Sequence, residues 1–300
     1  MSMQSCLITG AGGFMGRHVS LSLARRGIRV YALYRKSLPP VHPNIRSLQG
    51  DVREPHAWES ALPGQIDACI HLAALLPGPQ FSIDDYNKIN VLGTKNVLDA
   101  ASAHRSRVFI NFSSAYVTGA TNSEPQTEET PPAPQTAYHS SKLESERICE
   151  DYCKNAAMRI LTYRISSPYG VGMPHHSLMG IFLNNALQSK PFNIWGTGKR
   201  CQNFIHVSDV VRACHCGLRQ GEGVFLIAGK ESVSTTDLAR IFIDISGKND
   251  LPIQYDASKS EDSSWFFDIS KAKESLNFAP KISLDVGCRQ LYSFLKRFSA

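Results

Sequence analysis

The sequence predicts an α/β fold: a doubly wound parallel sheet, with a smaller α+β domain formed by the C-terminal half. Three observations predict it. The first half of the chain alternates short β-branched or apolar runs with helical patterns, the rhythm of βαβ units. A glycine-rich turn follows the first of those runs and opens a helix. From Ser167 onward the rhythm breaks into Gly- and Pro-punctuated pieces with short helices, which divides the chain into residues 1–166 and 167–300, some of the later segments returning to the first domain.

Strands are expected over residues 4–9, 29–34, 45–49, 67–71, 107–112 and 159–165, where apolar and β-branched residues run together. Residues 14–26 and 86–104 read as helices between them, the second because Ile89, Leu92, Val97 and Leu98 recur at about helical spacing. Parallel strands need such crossovers. The stretch 121–135, rich in Pro, Thr and Glu, has the chemistry of an exposed loop, and a helix over 137–155 follows it. Beyond the division, helices are expected over 177–189, 208–219, 235–246 and 284–297.

Composition excludes several classes. With 300 residues, 42% apolar and 19% charged, the chain is long and apolar enough for an ordinary core and unlike disordered or low-complexity sequence. Its longest apolar stretch, residues 68–76, is interrupted by His71 and falls short of the roughly 20 residues of a membrane helix. The first residues lack the pattern of a secretory signal, so a cytoplasmic location and no membrane partner are expected. The eight cysteines form no C-x-x-C pair, and neither Cys149 with Cys153 nor Cys214 with Cys216 has a second half at zinc-ligand spacing, so reduced thiols and no metal are expected. The net charge of +6 suits an anionic ligand. Lys and Arg are dispersed and not interleaved with aromatics, which argues against nucleic acid.

The strand ending at Thr9 runs into Gly10, Gly13 and Gly16 at the spacing G-x-x-G-x-x-G, with Phe14 and Met15 opening the next helix. A dinucleotide site of Rossmann type needs those glycines for the tight turn and for close approach of the backbone to a pyrophosphate, which the helix N-terminus then receives. The second strand ends in Tyr34, Arg35 and Lys36, with no acid at its tip to hold a ribose hydroxyl. Two cations there favour NADP over NAD. Asp51, past the third strand, is expected on the adenine side of the same crevice.

Tyr138 and Lys142 stand four apart on a predicted helix and therefore on one face. They follow a strand that ends in Ser113 and Ser114, hydroxyls presented at the carboxyl edge of the sheet, where ligands bind.

This combination resembles the extended short-chain dehydrogenase/reductase family of nucleotide-sugar epimerases, dehydratases and ketoreductases. The resemblance covers nearly the whole chain, through Asp51-Val52, His71-Leu72-Ala73-Ala74, Asn90 to Thr94, Tyr169-Gly170, Gly196 to Gly198, Phe204 to Val210 and Asp268 to Ala272. It implies that Val52, Leu72, Ala73, Ala74 and Asn90 join the glycine turn around the cofactor. It also implies that Ser114 orients the reacting oxygen, that Tyr138 moves its proton, and that Lys142 lowers the Tyr138 pKa and holds the nicotinamide ribose. Bringing a phenol down by about 3 units from about 10 takes about 4 kcal/mol.

The departures narrow the reading. Dehydratases of the family carry an Asp-Glu pair directly after the Ser/Thr, where this chain has Ala115 and Tyr116, so a 4,6-dehydratase is not expected. Where the family often has Asn and Arg against the substrate's diphosphate, this chain has Ser167 and Gln202, with Arg200 expected to act from a neighbouring position. The expected function is that of an NAD(P)-dependent oxidoreductase or epimerase on a secondary alcohol or ketone, a nucleotide-sugar ketoreductase or 4-epimerase. Two alternatives are a reductase of a small non-nucleotide carbonyl compound and a noncatalytic NADP-sensing protein. The resemblance also implies a homodimer through the helices at 86–104 and 137–155.

Overall fold

The structure, a computed structural model, describes residues 3–120, 125–154, 157–260 and 263–297. Residues 121–124 of the expected loop and position 155 of the expected helix lie outside the described residues. Strand β1 (Ser5–Thr9) leads through the glycine turn into α1 (Phe14–Arg25), followed by β2 (Arg29–Tyr34) and β3 (Ile45–Gln49). After α2 (His56–Glu59) come β4 (Ala68–His71), α3 (Ile83–Tyr86), α4 (Leu92–Ala103) and β5 (Val108–Ser114). Helix α5 (Ala137–Cys153) precedes β6 (Arg159–Ile165), β7 (Ser167–Tyr169), α6 (Leu178–Gln188), β8 (Phe192–Trp195), β9 (Cys201–His206) and α7 (Val207–Gly217). The last elements are β10 (Gly223–Ile227), β11 (Ser232–Ser234), α8 (Thr235–Ser246), β12 (Ile253–Asp256), α9 (Ser270–Leu276) and α10 (Leu284–Lys296).

The main sheet has seven strands in the order β10-β6-β5-β4-β1-β2-β3, and every neighbouring pair is parallel. This is the doubly wound sheet the sequence predicts. Its inner strands read as apolar runs because both faces are covered. On one face Ile8, Ile70 and Ile110 pack with Val19 and Leu23 of α1, Val210 of α7 and Leu276 of α9. On the other, Leu7, Cys69, Phe109 and Ile160 pack with Val97 and Leu98 of α4 and Cys149 of α5. The strand order reverses between β1 and β4, which opens a crevice at their carboxyl ends. A separate core of Tyr169, Phe182, Phe192, Leu238, Phe242 and Leu291 holds α6, α8 and α10 around the smaller β7-β9-β11 and β8-β12 sheets.

Among the differences from the sequence reading, two concern the main sheet and its crossover. The seventh strand, β10, comes from the second half of the chain, where its five residues between Gly221 and Gly229 carry no helical or alternating pattern long enough to mark them. The expected helix over 86–104 begins earlier, where Ser82 and Asp85 form a capping box, and is interrupted by a π-turn at residues 87–91. The Thr94 hydroxyl donates to the Asn90 carbonyl (2.6 Å) inside this segment, and the Asn90 side chain reaches across to a neighbouring loop. Such insertions displace the regular ladder.

Candidate active site

A continuous cavity of about 760 Å³ runs along the carboxyl edge of the sheet, from the glycine turn to β9. At one end the turn itself forms the wall. Gly10 has φ +67°, and a Cβ there would sit 2.7 Å from the Ala73 backbone nitrogen. A Cβ on Gly16 would lie 2.1 Å from the Gly10 carbonyl oxygen, so α1 packs directly on the turn. At Gly13, by contrast, a Cβ would meet only the Gly10 oxygen at 3.2 Å and otherwise project into the cavity. Gly13 caps α1 without any side-chain bond, leaving the N–H groups of Phe14, Met15 and Gly16 without helical partners. This open backbone with its donors is what a dinucleotide pyrophosphate requires, and the residues present fit that group.

The tip of β2 continues the wall through Tyr34, Arg35, Lys36 and Ser37. Gly12, whose Cβ would lie 1.6 Å from the Ser37 carbonyl, presses the turn onto this segment. Asp51 and Val52 lie opposite. Hydrogen bonding from Arg53 holds the Asp51 carboxyl below the usual carboxylate range, and Arg35 adds to it from 3.8 Å.

The segment Leu72–Leu75 forms one side of the cavity and is fixed from behind. Thr94 gives its only hydroxyl hydrogen to the Asn90 carbonyl, so His71 must donate through Nε2 to Thr94 (3.1 Å) and accept at Nδ1 from Thr9 (2.7 Å). Burial keeps this imidazole neutral, pushed down to about 3, with Lys142 acting in the same direction. Thr9 Oγ1 in turn accepts from the Ala73 N–H (3.1 Å). Asn90 does not reach the cavity, which corrects its expected place beside the cofactor. Its amide is spent on both backbone groups of Leu75 and on Ser141, an arrangement that shapes the wall without touching the contents.

In the middle of the cavity stand Ser114 at the end of β5 and Tyr138 and Lys142 one turn apart on α5. Strand β5 runs two residues past its expected end, and this carries Ser113 and Ser114 to the carboxyl edge. Thr136 caps α5, so its first turn sets Tyr138 at the wall. Ser114 Oγ accepts from the Tyr116 N–H (3.2 Å), which leaves the Ser114 hydrogen to donate into the cavity. Ser113 also lines the cavity, but its hydroxyl donates to Glu146. Glu146 and Arg164 form a buried ion pair (2.8 Å) that ties α5 to β6, and through Ser113 to β5. The three elements behind the catalytic candidates are thereby locked in register.

Burial, with a smaller contribution from Tyr86, pushes the Tyr138 phenol up to about 12. Within the protein alone the side chain therefore keeps its proton at neutral pH. Lys142 is itself driven down to about 8 by burial, against the opposing influence of Cys149 and Glu146. Below pH 8 its charge is carried in the folded state at a cost, because its unfolded value is near 10.5. Stability therefore rises as pH climbs from about 8 to 10.5. Lys142→Met is expected to raise stability at pH 7 by on the order of 3 kcal/mol, the advantage shrinking across that window. Urea denaturation of both proteins at pH 7 and pH 10 measures it.

At the other end, Ser167 on β7 and Gln202 on β9 line the cavity with Tyr116. Tyr116 Oη and Ser167 Oγ are 2.7 Å apart, and Gln202 Nε2 donates to Ser167 Oγ at 2.5 Å. Arg200 does not line the cavity; its Nη1 donates to Gln202 Oε1 (3.2 Å), and its charge acts on Tyr116. Arg200 stands just before the first residue of β9, two positions ahead of Gln202. Leu75, Leu76, Pro77, Pro174, Leu178 and Met179 complete the end with apolar surface. No motif marks these residues. Tyr116 could have been found from its place two residues after Ser114.

Among the described residues there is no cluster of His, Cys, Asp or Glu placed to hold a metal, and no helix is long and apolar enough to cross a membrane.

The model of the NAD dependent epimerase/dehydratase family matches residues 6–228. An uncharacterized UDP-glucose epimerase of Bacillus subtilis is 28% identical over 96% of this chain and 97% of its own. The UDP-glucose 4-epimerase of Thermotoga maritima, solved with UDP-glucose, superposes with a TM-score of 0.89 over 99% of this chain and all of its own, at 23% identity. A UDP-glucuronic acid 4-epimerase of Bacillus cereus, in complex with NAD and a fluorinated UDP-glucuronic acid, gives 0.88 over 98% of this chain and all of its own, at 25% identity.

Proposed function

Because the chain belongs to the NAD-dependent epimerase/dehydratase family, we propose that it is a nicotinamide-dependent enzyme acting on a secondary alcohol or ketone of a nucleotide-linked sugar, as a 4-epimerase or ketoreductase. The observation that carries this reading is the one cavity that joins the glycine turn, the Ser114-Tyr138-Lys142 set and a polar cluster at its far end. The turn from Gly10 to Gly16 holds the pyrophosphate on the α1 N-terminus, and Leu72 to Ala74 flank the cofactor. A bound nicotinamide supplies the hydride chemistry at the reacting carbon. Ser114 donates to the reacting oxygen and holds it toward Tyr138, which keeps or moves the proton there. Lys142, charged at neutral pH, stabilises negative charge developing on the phenol as that proton moves. Ala115 and Tyr116 offer no carboxyl to an elimination of water.

NADP is the preferred cofactor in this reading, although the Bacillus cereus relative was solved with NAD. The support is the β2 tip, which brings Arg35, Lys36 and Ser37 to the wall and no acid. NADPH is expected to bind more tightly than NADH by about 10- to 150-fold, the equivalent of roughly 1.5 to 3 kcal/mol for a charge-assisted contact. Arg35→Asp should erase the difference. Fluorescence titration of both cofactors measures it, and identical curves for the native protein count against NADP.

The nucleotide-sugar reading is tested by calorimetric titration of UDP, dTDP, GDP and CDP into the cofactor-loaded protein, with binding of at least one expected. Heat from none of them favours the second reading, a reductase of a small non-nucleotide carbonyl compound, for which the apolar wall and uncharged Ser167 and Gln202 speak. A cytoplasmic homodimer is part of the proposal. Leu92, at the start of α4, is an exposed apolar residue (47%) on one of the two helices proposed to pair, and sedimentation gives the mass.

A further inference from the structure

We propose that His139 is a second proton-transfer residue of the site, a general base for the carbon next to the substrate's ketone. The protein then enolises keto sugars in addition to transferring hydride. The inference rests on the nucleotide-sugar reading and adds an activity to that site.

The wall of the cavity offers few bases. Among the described residues that line it, Asp51 is the one carboxylate and His139 the one imidazole. Asp51 belongs to the glycine-turn end and is held by two bonds from Arg53. Glu146, one turn beyond Lys142, is taken by Arg164 and Ser113 and does not line the cavity. His139 follows Tyr138 directly on α5, and its ring lies 5.3 Å from that of Tyr138 and 6.3 Å from that of Tyr116. It is therefore the base at the reaction centre.

The cap of α5 decides which nitrogen is left to act. Thr136 Oγ1 accepts the His139 backbone N–H (3.2 Å) and lies 3.1 Å from Nδ1 of the same residue. A hydroxyl oxygen has room for both donors, so the basic tautomer gives Nδ1–H to the cap and carries its lone pair on Nε2. No group among the described residues bonds Nε2, and the half-buried ring keeps contact with water.

Charge states complete the arrangement. An imidazole is mostly unprotonated at neutral pH, and burial lowers His139 further. The titratable groups that share this part of the wall are Tyr116, Tyr138 and Lys142. Burial raises both phenols, which keep their protons, and Lys142, driven down to about 8, is still mostly charged at pH 7. Donors and a cation thus stand beside one neutral base, the combination that enolisation requires. Ser114 and Tyr138 donate to the ketone oxygen, and the Lys142 charge favours electron density there. Nε2 takes the hydrogen of an adjacent carbon as a proton, the C–H pair becomes the C=C bond, and the carbonyl π pair moves onto the oxygen. Nothing is oxidised. In reverse, the imidazolium, its proton exchanged with solvent, returns one to the same carbon. A single base works on one face, so hydrogen is exchanged and configuration kept.

Deuterium uptake tests this. Protein loaded with oxidised cofactor, which has no hydride to give, is mixed in D2O with the 4-keto forms of UDP-, dTDP-, GDP- and CDP-hexoses. NMR follows the carbons beside the ketone, against a control without protein. At least one keto sugar is expected to take up deuterium at an adjacent carbon with its configuration retained. His139→Gln should slow this by at least about 100-fold, with cofactor affinity as the folding control. His139→Glu should recover part of it, because a carboxylate can replace the base. In the native protein the rate should fall as pH drops below 6.5, the ordinary imidazole value, and hold above it until Lys142 loses its charge near 8. The same sugars added to protein loaded with reduced cofactor report hydride transfer. Hydride transfer without deuterium uptake, uptake as fast in His139→Gln as in the native protein, or a rate that does not fall below pH 6.5 would overturn the inference and leave the nucleotide-sugar reading standing. Neither uptake nor hydride transfer with any of these sugars would overturn the two together. Native uptake and its pH profile decide even if a variant does not fold.

Discussion

Tyr138→Phe is expected to lower turnover by roughly 10²- to 10⁴-fold while leaving cofactor affinity within about twofold of the native value. The substitution deletes one oxygen from a wall position and keeps the ring that packs 6.2 Å from Tyr86. Nothing near the glycine turn changes. With the phenol pushed up to about 12, the native side chain holds its proton through the neutral range. The reductive direction, in which Tyr138 gives its proton to the reacting oxygen, should therefore lose no rate to ionisation of Tyr138 between pH 6 and pH 9. The oxidative direction needs the phenol to lose its proton and should gain rate as pH rises. Steady-state rates of both directions between pH 6 and pH 9, for native and variant, measure this. Activity within threefold of native would remove Tyr138 from the mechanism.

Gly13→Val should do the reverse and abolish cofactor binding, by at least about 100-fold or roughly 3 kcal/mol, in a protein that still folds. The backbone at Gly13 has φ −76°, open to any residue, and its Cβ meets only one atom within 4 Å. The valine methyls would then stand in the space above the α1 N-terminus. Gly16→Val is the instructive contrast, because its Cβ would lie 2.1 Å from the Gly10 oxygen and 2.8 Å from Ala11 Cα, both backbone atoms that cannot yield cheaply. That variant should lose the fold as well as the cofactor. Thermal melting combined with NADPH titration separates the two, and undiminished binding by Gly13→Val would count against the cradle.

Much of this was legible in the sequence because the chemistry resides in local spacing. Gly10, Gly13 and Gly16 announce a turn on a helix whatever the rest of the chain does, and Tyr138 with Lys142 share a face by helical geometry alone. What the sequence hid depends on contacts between distant segments. Asn90 has the motif of a cofactor neighbour, yet its bonds to Leu75 and Ser141, residues separated by 15 and 51 positions from it, draw its amide away from the cavity. Arg200 and Gln202 lie two apart, and only the fold shows that the amide stands in front and the guanidinium behind. The Tyr138 phenol was expected to fall under the joint influence of Lys142 and an oxidised nicotinamide; enclosure by the protein alone raises it, and enclosure is a tertiary property. Strand β10 escaped notice for the same reason, since its five residues become a strand through pairing with β6.

The central claim is that one cavity supports redox or epimerising chemistry at a secondary carbon of a nucleotide-linked sugar. The most direct measurement mixes the cofactor-loaded protein with UDP-, dTDP-, GDP- and CDP-hexoses and their 4-keto forms. It follows the near-ultraviolet absorbance of reduced nicotinamide together with sugar configuration by NMR. The account predicts that at least one sugar changes oxidation state or configuration at a single secondary carbon, and that Tyr138→Phe leaves that sugar unchanged. Bound cofactor with every sugar unaltered, or conversion that persists in the Tyr138→Phe variant, would contradict it.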